Sequence, residues 1–158
     1  NLFPYLPLFF YFLLYNKISN VKENNLDMIK IKKLKQGFVY NPNYYTDKVN
    51  NFEDLNKLPL ILQKKESNSR KFLDYVCLQN GVSLVPQMEV VSQELVAELT
   101  DIGLGVGYTI IDLVKNYTNL KELEINKKIP NLDVYLATNK NTVPTFATKK
   151  FIQYIKMI

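Results

Sequence analysis

"TDIGLGVGYTIID", residues 100–112, places glycines at 103, 105 and 107 in front of a helix-like stretch. A dinucleotide-binding loop has its glycines directly after a strand and ends on the helix N-terminus that holds the pyrophosphate. The order here is different. The preceding "SQELVAELTDI" sets Leu95, Val96, Leu99 and Ile102 on one apolar helix face, with Ser92 as the cap. Gly103 falls at the C′ position, where a left-handed residue ends a helix. Gly105 and Gly107 lie at the start of and within a short strand, "LGVGY", which small residues let pack closely against its neighbours. The run is a helix–turn–strand junction and not a phosphate loop. Thr109 is expected to cap a further short helix reaching Asn116, with Asp112 in a capping-box-like position.

Outward from this junction the same alternation repeats. "FEDLNKLPLIL" gives a helical turn stopped before Pro59 and then a buried strand over 60–62. "SNSRKFLDYVCLQNG" has cap residues at Ser67 to Ser69, apolar Phe72, Leu73 and Val76, and Gly81 as its stop. "MEVV", "LKELEI", "LDVYLAT", "LDMIKI" and "GFVYN" read as strands. Pro144 opens a closing helix in which Ala147, Phe151 and Ile155 recur every four residues. Strands alternating with helices predict an α/β fold with a largely parallel sheet.

Composition removes several functions. The 158 residues suit one domain, or a small domain with part of another, and 47% hydrophobic content supports a core. Without histidine no Ser-His-Asp or Cys-His system and no His-ligated metal can be built, and no general acid/base pair stands out, so neither an enzyme nor a cofactor is expected. Cys77 stands alone, which fits a reducing compartment, the cytoplasm. The net charge of +5 is spread through "KIKKLK", "QKKE", "NKK" and "TKK", a solvated surface and not a contiguous nucleic-acid footprint. Residues 2–15, "LFPYLPLFFYFLLY", are apolar but too short to span a bilayer, and they lack the flanks of a secretory signal. Beginning at Asn1 without Met, the sequence reads as a fragment.

Three segments, "FEDLNKLPLILQKKESNSRKFLD", "NGVSLVPQMEVVSQELVAELTDIGLGVGYTIIDLV" and "VYLATNKNTVPTFATKKFIQYI", together resemble the effector-binding half of bacterial LysR-type transcriptional regulators. The resemblance runs from about Lys22 to Ile158 and implies a type 2 periplasmic-binding-protein-like α/β fold. Two subdomains would hold a small molecule in the cleft between them. It assigns 1–58 to the remnant of subdomain I, 59–136 to a complete subdomain II, and 137–158 to a segment returning to subdomain I. The stretch "LFPYLPLFF" resembles the first helix of an incomplete subdomain I. The implied partners are a small, anionic effector, promoter DNA through a helix-turn-helix that this chain lacks, and further copies in a homodimer or tetramer. No membrane partner is implied. A stand-alone solute-binding protein of the same fold and a non-functional regulator fragment are the alternatives.

The candidate effector-binding residues follow. In "ESNSR", hydroxyls and backbone N–H groups of Ser67, Asn68 and Ser69 open a helix, and Arg70 adds a guanidinium, a combination suited to a carboxylate or oxyanion. Ser67 or Ser69 could equally be a plain cap, and Arg70 could pair with Glu66 or Asp74 along the helix. Ser92 caps a second helix, whose N-terminus the resemblance places on the cleft facing the first, or it serves as a cap alone. Tyr108 and Thr109 close a strand where ligands bind in open α/β sheets, although Tyr108 suits packing as well. Cys77 reads as a small core residue, and Glu94 with Glu98 as a solvated pair.

Overall fold

A computed structural model of the protein describes residues 11–15, 26–45 and 49–157. In chain order the elements are β1 (Tyr11–Tyr15), β2 (Leu26–Leu34), β3 (Gln36–Tyr40), a 3-10 turn (Asp54–Lys57), β4 (Leu60–Gln63) and α1 (Asn68–Gln79). There follow β5 (Met88–Val90), α2 (Gln93–Asp101), β6 (Val106–Ile110), α3 (Ile111–Val114), β7 (Lys121–Glu122), β8 (Leu132–Asn139) and α4 (Phe146–Ile155). The chain forms two compact units, one within Asn1–Lys33 and Asp133–Ile158, the other Leu34–Leu132. The stretch "LFPYLPLFF" lies outside the described residues, and the apolar run after it is β1.

In the first unit the strands form a three-stranded sheet ordered β1-β8-β2, with β1 antiparallel to β8 and Phe12 opposite Leu136. Lys30 pairs with Asp133 at 2.6 Å on this sheet. Helix α4 begins as Pro144 predicts: the Thr145 hydroxyl accepts the backbone N–H of Thr148 at 3.2 Å, satisfying one of the donors a helix start leaves open.

The second unit holds a five-stranded sheet ordered β5-β4-β6-β3-β7. Its apolar strand residues point to two faces, as the two-residue period of a strand requires. Leu60 and Leu62 join Phe72, Leu73 and Val76 of α1 on one face, while Ile61 joins Val90 and Val96 of α2 on the other. Each fully buried leucine or valine of this kind contributes about 1.5–3 kcal/mol of transfer free energy. Tyr108 and Phe38 stand opposite one another on adjacent strands, their rings tilted at 52° with centroids 5.1 Å apart.

The sheet is mixed, not largely parallel. β4 runs parallel to β5 and β6, but β3 is antiparallel to both β6 and β7. The alternation of strands and helices governs β4 to β6, where each crossover carries a helix; β3 precedes that series and joins it by antiparallel pairing, which needs no crossover. β3 and the 3-10 turn thus pack within Leu34–Leu132, beside the strands read above as subdomain II.

Two further expectations differ. Thr109 does not cap a helix: it lies within β6, and α3 starts from Ile110 without a side-chain cap. The open donor of Ile111 is instead taken by the Lys35 carbonyl at 3.0 Å, so no hydroxyl is needed there. The strand read in "LKELEI" is confined to Lys121–Glu122, after which Leu123 turns inward to the core. The glycine junction is as expected. Gly103 has φ +84°, its N–H reaches the Thr100 carbonyl at 3.0 Å, and Leu104 N–H reaches Leu99 at 3.0 Å, closing the end of α2.

Candidate functional site

Both cap serines of the second unit do what helix geometry asks of them. Ser67 accepts from the Arg70 N–H at 3.0 Å, and Ser92 accepts from the Leu95 N–H at 3.1 Å. In each first turn the next N–H groups, Asn68 and Ser69 in α1, have no intrahelical acceptor and remain donors. The two turns meet through side chains. Gln93, the first residue of α2, donates its amide to the Ser69 hydroxyl at 2.8 Å and to Gln63 Oε1, at the end of β4, at 2.6 Å.

Ser69 is buried and also accepts from Gln36 Nε2 of β3 at 2.6 Å. Gln36, buried as well, accepts in turn from the Tyr108 hydroxyl at 3.2 Å. Burial pushes the Tyr108 phenol well above its usual range, which keeps it a donor across physiological pH. The Thr109 hydroxyl, fully buried, donates to the Gln93 carbonyl at 3.2 Å and ties β6 to the start of α2. Three strands and two helices thus converge on one set of neutral donors and acceptors beside two helix N-termini, where the helix dipoles favour negative charge.

Arg70 is placed elsewhere. Its guanidinium is buried and runs away from the first turn, donating Nε to Asp74 at 2.8 Å and one terminal nitrogen to both Glu89 at 2.8 Å and the Gln63 carbonyl at 3.0 Å. That arrangement clamps α1 to β4 and β5. It leaves the site's polarity to hydroxyls, amides and backbone N–H groups. Asn68 is exposed at the mouth of the turn. Cys77, on the buried face of α1, is fully buried, and desolvation, with Asp74 adding to it, pushes its thiol up to about 12, which makes it inert. Glu94 and Glu98 are exposed.

The structure therefore brings together Ser69, Tyr108 and Thr109 of the residues singled out by sequence, with Ser67 and Ser92 as flanking caps. Gln36, Gln63 and Gln93 were not anticipated. Their local signal is weak: each glutamine sits at the end of an apolar strand or just after a cap, where polar residues are ordinary. Only the strand order puts them within reach of one another.

The family described as LysR substrate binding domain matches residues 18–157. Among curated proteins none matches the sequence. Among solved structures, the regulatory domain of CcmR from Synechocystis, in complex with 2-PG, is similar at TM-score 0.78 and 15% identity, over 94% of this chain and 72% of that chain. The effector binding domain of QuiR in complex with shikimate is similar at TM-score 0.73 and 19% identity, over 87% of this chain and 66% of that chain. The regulatory domain of HypT from Salmonella typhimurium, bromide ion-bound, is similar at TM-score 0.74 and 14% identity, over 94% of this chain and 70% of that chain. The present chain thus spans roughly two thirds to three quarters of these domains. At such identities the likeness is one of fold, the periplasmic-binding-protein-like α/β fold of these regulatory domains. The match across 18–157 establishes the rest: this chain belongs to the LysR substrate binding domain family and is a LysR-type effector-binding domain.

Proposed function

We propose that this domain senses a small anion held against the first turns of α1 and α2, in an inter-subdomain cleft, and passes that occupancy to DNA-binding helix-turn-helix elements of a cytoplasmic transcriptional regulator. The observation that carries the reading is the contact between Gln93 and Ser69 at 2.8 Å, which converges two serine-capped helix N-termini on one buried polar set. Backbone donors of that kind, with aligned dipoles behind them, form an anion site without a formal positive charge. Shikimate and bromide, bound by two of the similar domains, are both anions. The contacts are Ser69 and Asn68 in α1, with Ser92 and Gln93 in α2; Ser67 shapes the turn, Tyr108 and Thr109 support it from β6, and Arg70 holds α1 in place.

A bound anion would act by favouring one arrangement of a homodimer or tetramer over another, an effect limited to its differential affinity for the two. The test is a thermal melt of the 158-residue chain at pH 7 across a panel of small carboxylates, each paired with its uncharged amide. Members of the panel that bind raise the midpoint with concentration, and their amides do not. Equal stabilisation by acid and amide, or none by any acid, would overturn the anion reading.

A further inference from the structure

We propose that the second unit carries a further small-molecule site, at the end of α1 remote from its serine cap, and that the ligand is a free α-amino acid with an aliphatic side chain. A recess of about 190 Å³ opens there, lined by Asn51, Phe52, Glu53, Asn80, Val82 and Lys127. Helix α1 has 12 residues, so at 1.5 Å per residue this end lies about 18 Å from the turn of Ser67 and Ser69. A cavity of roughly 150 Å³ holds a molecule the size of benzene, which sets the ligand here at about six to nine non-hydrogen atoms.

The recess holds two opposite charges that do not neutralise each other. Lys127 donates to Asn80 Oδ1 at 2.8 Å, a neutral acceptor, and forms no ion pair among the described residues. Asn80 is itself held, its Nδ2 donating to the Val76 carbonyl at 2.7 Å, so the ammonium is fixed at the end of α1 with two N–H groups to spare. In the same lining, the Glu53 carboxylate has no hydrogen bond or ion pair among the described residues; Lys57, which feels its charge, pairs with Asp54 instead at 2.7 Å. Asn51 is oriented as well. Its Oδ1 accepts the Asp54 N–H at 3.0 Å, which leaves Nδ2 without an acceptor among the described residues. Phe52 and Val82, both buried, supply an apolar floor. A ligand that satisfies this whole lining brings a carboxylate for Lys127 and Asn51, an ammonium for Glu53, and a short aliphatic group for Phe52 and Val82. Valine and leucine carry those three groups on one carbon. A simple carboxylate or a simple amine would leave one charge of the recess unmet, whereas a zwitterion makes charge-assisted bonds, the strong kind, at both.

The experiment is an NMR titration of the whole nitrogen-15-labelled chain with L-valine and L-leucine, following the side-chain amides of Asn51 and Asn80. Two analogues of valine with one charge each, 3-methylbutanoate and isobutylamine, are the controls. The expected result is a saturable shift of both amides with the amino acid, and binding weaker by about tenfold or more for each analogue. Lys127→Gln and Glu53→Gln, both at exposed positions, should each weaken the amino acid about tenfold. Lys127→Gln should leave isobutylamine binding unchanged, and Glu53→Gln that of 3-methylbutanoate. Equal affinity for valine and its analogues would overturn the zwitterion assignment. No saturable shift of Asn51 or Asn80 with either amino acid, or a shift confined to Asn68 and Ser69, would overturn the site itself. Should either variant fold poorly, the analogue series on the unaltered protein still decides.

Discussion

Ser69 accepts two amide donors at one oxygen, which sets what its removal does. Ser69→Ala strands Gln36 Nε2 in a buried place and leaves Gln93 Nε2 with Gln63 Oε1 alone, and an unsatisfied buried donor costs about 1–3 kcal/mol. The urea midpoint is expected to fall accordingly with an unchanged denaturant slope, whereas Ser67→Ala, losing a cap, costs about 1 kcal/mol. Cys77 and Tyr108 make a second prediction at this scale. Both acids are pushed upward by burial, Cys77 from 9.0 to about 12 and Tyr108 from 10.0 to above its usual range. The unfolded chain therefore releases these protons before the folded one does. Their contribution is intact below pH 9 and is lost as pH climbs toward the folded values, by at most about 1.4 kcal/mol per pH unit for each group. Urea unfolding at pH 8 and pH 10.5 should show the drop, and Cys77→Ala should shrink it. Of the site's residues, the caps were legible because capping is local chemistry, readable in "SNSR" and "SQEL". Gln36, Gln63 and Gln93 were not, because their meaning depends on three strands whose order local sequence does not state.

Helix ends were the most readable elements. Ser67, Ser92 and Thr145 each accept an N–H three residues ahead, and Gly103 takes the left-handed conformation expected of it. Misreadings arose where a distant backbone supplied what a local side chain could have: the Lys35 carbonyl at the start of α3 displaced the cap assigned to Thr109. The parallel sheet was foreseen where helices separate strands and missed at β3, whose partner β6 lies far along the chain. Gly105 offers a test of element packing. A Cβ there would meet the Pro59 carbonyl oxygen, which accepts the Val106 N–H at 2.8 Å and cannot withdraw without opening the start of β6. Gly105→Ala is expected to cost about 1–3 kcal/mol through overpacking, read as a lower melting midpoint.

At the scale of the whole molecule, the Leu34–Leu132 unit contains its own core on both sheet faces, from Phe38 through Leu132, and all the residues of the polar set. A chain restricted to residues 34–132 is therefore expected to unfold in one cooperative step and to keep the slow-exchanging amides of β4 and β6. Gradual melting without a baseline would contradict it. The antiparallel pairing of β3 with β6 also has a bearing on synthesis. Gln36 meets Tyr108, which lies 72 positions later. At about 5–20 residues per second the ribosome delivers that partner only after several seconds. Through that interval "GFVY" is a nascent strand with both edges unclaimed, the kind of segment that chaperones shield and that neighbouring chains can capture. Translation halted before β6 emerges would leave it so permanently, and such stalled products should be cleared by proteases rather than accumulate.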